Sequence, residues 1–165
     1  MVCREQGPVT RKAKRAVDEL EELYQEIVLE HNRKPRNFRK MDDPTCTSHG
    51  FNPFCGDTIT LYMTLNDDVV TDVSFEAAGC AISKASASLM TQAIKGQTVD
   101  EAQETFGKFH ELVTNGANGN VDDESLGDLV VLAGVRSFPT RIKCATLSWH
   151  ALRGALEGEE TVSTE

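Results

Sequence analysis

Two runs of alternating apolar and polar residues near the centre of the chain constrain its fold more than any other feature. In residues 58–65, threonines and a tyrosine alternate with isoleucine, leucine and methionine. Residues 69–77 show the same alternation after the turn-prone triplet Asn66-Asp67-Asp68. A period of two puts successive side chains on opposite faces of a sheet. The pattern therefore predicts an antiparallel β-hairpin with one buried face.

Helical periodicity flanks this hairpin on both sides. Apolar residues three and four positions apart predict an amphipathic helix from Val17 to Lys34 and a last helix from about Pro139 to Leu156. A run of small residues after Gly79-Cys80 predicts a closely packed helix, and further helices are expected over residues 99–113 and 122–133. The expected fold class is α+β, with a small sheet packed against helices.

The length of 165 residues predicts one domain with a sizeable core. Residues 1–16 show no periodicity and are expected to form a disordered N-terminal tail. The domain is expected over residues 17–157, followed by a disordered acidic C-terminal tail over residues 158–165.

Charge and cysteine usage limit the classes of partner. A formal net charge of −9 argues against nucleic acid, because phosphate binding relies on concentrated Lys and Arg. The absence of a long apolar run argues against membrane insertion. Five cysteines at irregular spacing, without the apolar core of a secretory signal, predict free or metal-bound thiols rather than a disulfide framework. We therefore expect a cytoplasmic protein.

The most promising chemistry lies just before the first predicted strand. Cys55 and Asp57 are two residues apart, so an extended backbone points both side chains the same way, and Gly56 lets the chain bend between them. Cys80 opens a predicted helix, whose dipole favours a thiolate. Cys144 lies at the border of the apolar face of the last helix. These residues can complete a four-ligand metal site.

Two readings of the three cysteines stay open at this point. They share a metal ion, or they are buried structural thiols. Asp57 favours the metal, because a carboxylate is a poor neighbour for an apolar thiol and a good ligand for a divalent ion. Arg141, three residues before Cys144, puts a positive charge near the site or forms a surface salt bridge. Capping or packing is expected for His31 rather than a ligand role, the loop surface for His49 rather than a place in the site, and a spectator position for Cys46.

Four segments of the chain form ordered motifs: Leu23-Tyr24-Gln25-Glu26-Ile27 with His31 and Pro35-Arg36-Asn37, Asn52-Pro53-Phe54-Cys55-Gly56-Asp57, residues 79–88, and Arg141-Ile142-Lys143-Cys144-Ala145. Together they resemble the iron-sulfur cluster assembly scaffold superfamily, and its SufU branch in particular. The resemblance extends from about Leu20 to Leu156. Lys143 directly before the last cysteine, where IscU-type scaffolds carry a histidine, and a long stretch between the second and third cysteines both indicate the SufU branch.

This resemblance implies a small three-stranded antiparallel sheet, with its first strand in residues 44–53, packed against helices. It also implies that Cys55 accepts sulfur from the persulfide of a SufS-type pyridoxal-phosphate cysteine desulfurase, a step that Arg141 is expected to assist. The ligands that it implies for a zinc ion are Cys55, Asp57, Cys80 and Cys144.

Three functions follow as hypotheses. The first is a zinc-dependent sulfur acceptor, or sulfurtransferase, for iron-sulfur cluster biogenesis. The alternative is a scaffold on which the same four residues hold a transient iron-sulfur cluster that passes to downstream assembly proteins. The third is a zinc-stabilised binding module without chemistry. Lys143 favours the first, because a tight four-ligand zinc site competes with iron for the thiolates.

Overall fold

The computed structural model describes residues 24–114 and 123–164. The predictions for residues 1–23 and 115–122, including the N-terminal tail, lie outside the described residues. In chain order the elements are helix α1 over residues 24–33, strands β1 (Cys46–Asn52), β2 (Asp57–Asn66) and β3 (Val69–Ala78), helices α2 (Ala81–Ile94), α3 (Val99–Thr114) and α4 (Asp123–Leu126), a 3-10 segment (Gly127–Ser137), helix α5 (Pro139–Glu157) and strand β4 (Thr161–Ser163).

The predicted hairpin is confirmed. Strands β2 and β3 pair antiparallel, with Leu61 opposite Phe75, and both of these side chains are fully buried. Asp67 and Asp68 between the strands have φ values of 52° and 63°. Two successive positive φ angles are the signature of a turn whose twist matches that of the paired strands, and Asp and Asn tolerate this conformation well.

The prediction of a three-stranded antiparallel sheet is wrong. The sheet has four strands in the order β3-β2-β1-β4, and β4 runs parallel to β1. Strand β1 lies within residues 44–53, as the resemblance implies, and pairs antiparallel with β2. The fourth strand comes from residues 161–163, for which the sequence predicts a disordered tail.

Strand β4 depends on packing that leaves little trace in the sequence. Gly158, at φ 79°, ends α5 in the left-handed conformation, and the chain then returns along β1. Val162 of β4 packs directly against Gly154 of α5. A Cβ atom on Gly154 would lie only 2.5 Å from Val162 Cγ1, so only glycine leaves room for this contact. One glycine and one valine provide no periodicity, so the pattern could not reveal the strand.

The helices cover one face of the sheet, where α5 contacts β1, β2 and α2. Trp149 of α5 is fully buried and stacks on Phe109 of α3, with ring centroids 4.6 Å apart. The apolar face of the predicted last helix, to which Trp149 belongs, therefore lies in the core, and the expected α+β class is confirmed. None of the described helices is long and apolar enough to cross a membrane.

The predicted helix over residues 122–133 is wrong for most of its length. Helix α4 ends at Leu126, and Gly127 has a φ of 56°, which an α-helix cannot contain. An 11-residue 3-10 segment follows instead. Its buried residues Leu129, Val131, Leu132 and Val135 still pack into the core, so the segment contributes apolar contacts although it is not an α-helix.

His31 packs inside the fold, as expected. It is 4% exposed, and its Nδ1 atom lies 2.7 Å from Ser88 Oγ. The same hydroxyl oxygen accepts a hydrogen bond from the Arg36 backbone N–H at 2.8 Å. The serine proton is therefore free to donate to an unprotonated Nδ1, which couples α1 and the loop after it to α2.

This contact predicts a loss of stability on acidification. Burial and then repulsion from Arg36 lower the pKa of His31, against an opposing attraction from Glu30 and Asp128. The stabilisation is therefore complete above the unfolded pKa of about 6.5, and it is lost as pH falls through that value towards the lower folded pKa. Between pH 7.5 and 5, unfolding titrations of His31→Gln should show a smaller decrease in free energy than the native protein. The exposed His49→Gln should follow the native protein, and identical slopes for all three would refute this role.

Candidate metal centre

Three of the four predicted ligands converge where the β1–β2 turn meets α5. The ligand atoms of Cys55, Asp57 and Cys144 all lie within 4.8 Å of one another. The two sulfur atoms are 3.4 Å apart, far longer than the roughly 2.05 Å of a disulfide bond. Both cysteines are free thiols, and together with the carboxylate they form a group suited to a metal ion.

The tight turn between β1 and β2 leaves Cys55 exposed to solvent and Asp57 buried. The Gly56 N–H donates to the Asn52 carbonyl at 2.8 Å, and Gly56 has a φ of 71°, which confirms the predicted bend. Cys55 is exposed on this turn, whereas Asp57 begins β2 and is fully buried. The result is one accessible thiol above a buried carboxylate.

Cys80 borders the group from the start of α2. It is the N-cap residue, and its Sγ atom accepts from the Ser83 N–H at 3.5 Å. Its own N–H donates to Asp57 Oδ1 at 2.9 Å, while its Sγ lies 3.9 Å from Asp57 Oδ2. The carboxylate therefore connects Cys80 to the other two ligands, although Cys80 is not among the three residues within 4.8 Å of one another.

Cys144 is more enclosed than its predicted position at a helix border suggests, because it is fully buried on α5. Burial raises the pKa of its thiol, and hydrogen bonds with Cys55, Asp57 and Cys80 raise the pKa further. Arg141, one turn earlier, is exposed at the rim. Attraction to Cys80 and then to Cys144 raises the pKa of its guanidinium, so this charge is permanent.

Sequence reasoning gave no separate role to Asn52, which is fully buried at the centre of the site. Its Nδ2 atom lies 3.3 Å from Asp57 Oδ2 and 3.7 Å from Cys144 Sγ. Asn52 and Asp57 are the pair that closes the β1–β2 hairpin. The available signal was a polar residue that begins the Asn52–Asp57 motif and faces a predicted ligand across a turn.

Two residues near the motif stay outside the site. His49 is exposed on β1 and its ring nitrogen Nδ1 lies 3.0 Å from Thr60 Oγ1. Cys46 is half-buried at the start of β1, where burial raises the pKa of its thiol. Both observations agree with the surface and spectator positions expected from the sequence.

The donor set fits zinc. Zinc takes four ligands tetrahedrally, with Zn–S distances of about 2.3 Å, which places two sulfur ligands about 3.8 Å apart. The 3.4 Å between the sulfur atoms of Cys55 and Cys144 is close to that spacing. Thiolates with a carboxylate match the sulfur and oxygen ligands that zinc accepts in proteins.

Gly79 provides a test of how closely the site is built. It precedes Cys80 with a φ of 144°, and a Cβ there would overlap the Asp57 carboxylate. Gly79→Ala should therefore lose most of its zinc affinity and melt at a lower temperature. Gly96→Ala is the matched control, because Gly96 also has a positive φ, of 88°, but open space around it. Zinc titration and thermal unfolding of both variants check this, and equal zinc affinity in the two would contradict it.

The described fold and site define an α+β protein that carries a compact cysteine and carboxylate centre. Residues 23–145 match the family described as NifU-like N terminal domain. The zinc-dependent sulfurtransferase SufU of Bacillus subtilis is 44% identical over 143 residues, which cover 86% of this chain and 94% of that protein. The iron-sulfur cluster assembly scaffold protein IscU of Streptococcus pyogenes is 37% identical, over 86% of this chain and 87% of that protein.

A solved structure shows the same fold. It is the crystal structure of a protein from Fervidobacterium islandicum described as an iron-sulfur cluster assembly scaffold for the SUF system. It is 32% identical, with a TM-score of 0.75, over 82% of this chain and 98% of that one. The chain therefore belongs to the NifU-like N-terminal domain family.

Proposed function

We propose that this chain is a zinc-dependent sulfur acceptor, which takes persulfide sulfur from a cysteine desulfurase for iron-sulfur cluster biogenesis. The observation that carries the proposal is an exposed thiol, Cys55, in one ligand group with the buried Asp57 and Cys144. The similarity to the zinc-dependent sulfurtransferase SufU of Bacillus subtilis supports the same function. In this proposal Cys55, Asp57, Cys80 and Cys144 hold the zinc ion.

The four proposed ligands differ in how accessible they are to a partner protein. When bound, zinc keeps the thiols deprotonated and supplies no redox chemistry of its own. Cys144 and Asp57 are fixed in the core, and Cys80 is fixed at a helix N-terminus. Only Cys55 sits on an exposed turn, so it is the ligand that a partner's active site can reach.

Transfer of sulfur to Cys55 needs no external oxidant. The Cys55 thiolate attacks the outer sulfur of the desulfurase persulfide, and the sulfur-sulfur bond of that persulfide breaks. The desulfurase cysteine leaves as a thiolate with the electron pair, and Cys55 becomes the new persulfide. A SufS-type pyridoxal-phosphate desulfurase is the partner we propose, and the cytoplasm is a suitably reducing compartment for these thiols.

Arg141 is the second residue to which we assign a part in the transfer. Its permanent charge lies beside the sulfur atoms of Cys80 and Cys144, where it offsets negative charge that builds up as a persulfide arrives. Guanidinium has no lone pair to offer a metal. Arg141→Ala should therefore keep one zinc per chain while desulfurase activation falls about tenfold.

The exposed Arg33→Ala is the control for a general loss of positive charge. Zinc analysis and the rate of alanine production from cysteine measure both effects. Loss of zinc from Arg141→Ala would show that Arg141 supports the metal ligands structurally. An unchanged rate of alanine production would show that Arg141 has no part in sulfur transfer.

A scaffold function is the second candidate, and the IscU relative supports it. In that case the same four residues hold a transient iron-sulfur cluster for delivery to downstream assembly proteins. Metal analysis and a visible spectrum of protein purified without air distinguish the two functions. Stoichiometric zinc without cluster absorption supports the sulfur acceptor, whereas iron and sulfide with cluster absorption support the scaffold.

The direct test is whether the zinc-loaded protein accelerates a cysteine desulfurase. We expect the rate of alanine formation to rise with the concentration of this protein and to saturate, while zinc-stripped protein has little effect. If the zinc form leaves turnover unchanged, the proposed function is wrong, and a zinc-stabilised binding module without chemistry becomes the better description.

A further inference from the structure

We propose that Asn52 positions the ligands of the metal centre and that the C-terminal segment after β4 holds Asn52 in place. This inference rests on the ligand set of the proposed function. It assigns a role to a residue that donates no ligand atom, and it connects the site to the last residues of the chain that the structure describes.

The side chain of Asn52 uses its full hydrogen-bonding capacity. An amide group offers two N–H donors on nitrogen and two lone pairs on oxygen. Nδ2 donates to Asp57 Oδ2 at 3.3 Å and to Cys144 Sγ at 3.7 Å. Oδ1 accepts from the Phe54 N–H at 3.2 Å and from Thr164 Oγ1 at 3.2 Å. Because Asn52 is fully buried, bulk water cannot replace any of these partners.

The orientation of the amide is fixed by the chemistry of its neighbours. The carboxylate of Asp57 and the sulfur of Cys144 accept hydrogen bonds, whereas the Phe54 N–H and the Thr164 hydroxyl donate them. Only one of the two amide orientations satisfies all four. A neutral donor between two anionic ligands also reduces their repulsion, and therefore favours the close spacing that a metal site needs.

Asn52 thereby contacts three of the segments that carry the proposed ligands. It reaches Asp57 on β2 and Cys144 on α5 directly, and through the Phe54 N–H it holds the turn that carries Cys55. Outer hydrogen bonds of this kind orient metal ligands, and their loss typically lowers metal affinity by about 10- to 100-fold.

The C-terminal segment supplies the contact that fixes the amide oxygen. The Thr164 N–H donates to the Phe51 carbonyl at 3.3 Å, next to the hydroxyl contact with Asn52. Strand β4 thus places Thr164 against the end of β1. Without the Thr164 hydroxyl group, the amide oxygen of Asn52 would keep only one of its two hydrogen-bond donors, the Phe54 N–H. The Asn52 side chain would then gain rotational freedom.

Four variants and two measurements test this inference on the full chain. Asn52→Leu keeps the approximate shape of the side chain but removes all its hydrogen bonds. Thr164→Val replaces the hydroxyl group with a methyl group, whereas Thr164→Ser keeps the hydroxyl group and loses only the methyl group. Thr161→Val makes the same change at an exposed position on β4. Zinc affinity is measured by competition with a chromophoric chelator, and ligand geometry by the visible spectrum of the cobalt(II)-substituted protein.

We expect Asn52→Leu to bind zinc about 10- to 100-fold more weakly, with altered cobalt(II)-thiolate bands. Thr164→Val should lose several-fold in affinity and shift the same bands, whereas Thr164→Ser and Thr161→Val should match the native protein. Native affinity and bands in Asn52→Leu, or in Thr164→Val, would overturn the proposal. If Asn52→Leu fails to fold, the two variants at Thr164 and the control at Thr161 decide the question.

These assays contain no desulfurase, so they are independent of the test of function. Failure of the native protein to accelerate a desulfurase would refute the sulfur acceptor and leave the role of Asn52 standing. Native metal binding in the variants would refute the role of Asn52 and leave the acceptor standing.

Discussion

Replacing Cys55 with serine should abolish activation of a cysteine desulfurase and remove the site of sulfur attachment. The change replaces one exposed atom on a turn, so the fold should be retained. Serine is a far weaker nucleophile than a thiolate at neutral pH, because its hydroxyl does not ionise there. The expected loss is at least 100-fold in the stimulated rate.

Mass spectrometry locates the acceptor directly. After incubation with desulfurase and cysteine, one added sulfur atom should map to Cys55 in the native protein and be absent from Cys55→Ser. Cys46→Ser is the control, since Cys46 is a half-buried thiol outside the ligand group. Sulfur found mainly on Cys80 or Cys144, or normal turnover with Cys55→Ser, would contradict this assignment.

Removal of zinc should lower the melting temperature by about 10 °C. Binding to the folded state alone stabilises by about 4 kcal/mol when free metal is 1,000 times Kd, and each kcal/mol corresponds to roughly 2–4 °C for a chain of this size. The buried Asp57 gives a physical reason, because without a cation its fully buried carboxylate faces the sulfur atom of Cys80 without contact with bulk water.

Calorimetry before and after chelation, followed by zinc addition, measures this effect. Asp57→Ala is the matched variant, because it should bind zinc weakly and therefore show little response to the chelator. A native protein that melts at the same temperature with and without zinc would show that the metal is not structural, whatever its part in sulfur transfer.

The parts of the fold that sequence could predict are those with a regular period. The hairpin of β2 and β3 follows from alternation, and the apolar face of α5 follows from three- and four-residue spacing. The 3-10 segment was missed because Gly127, at φ 56°, interrupts the helix after Leu126, and residue types alone do not distinguish a 3-10 helix from an α-helix in the segment that follows. Strand β4 was missed because its stability comes from tertiary contacts with Gly154 rather than from its own residues.

The candidate site divides in a similar way. Cys55 and Asp57 stood out because two ligand types lie two residues apart, whereas Cys80 and Cys144 needed the resemblance to join them. Asn52 carried a weaker signal, its place at the start of the Asn52–Asp57 motif, because an asparagine before a proline also fits an ordinary turn. Its four contacts come from β2, α5, the turn before Cys55 and the C-terminal segment, and only a folded chain brings these together.

In the part of the chain that the structure describes, the outer sides of β1 and β3 are partly covered. Strand β4 pairs with residues 49–51 of β1, and on the far side β3 is bonded to residues 37–39 and 96–98. Recognition by strand addition needs a row of unpaired backbone groups, and this cover interrupts such a row on β1 and β3. We therefore expect side chains to contribute most to recognition by a partner, and variants that exchange surface residues should alter partner choice without touching the backbone framework.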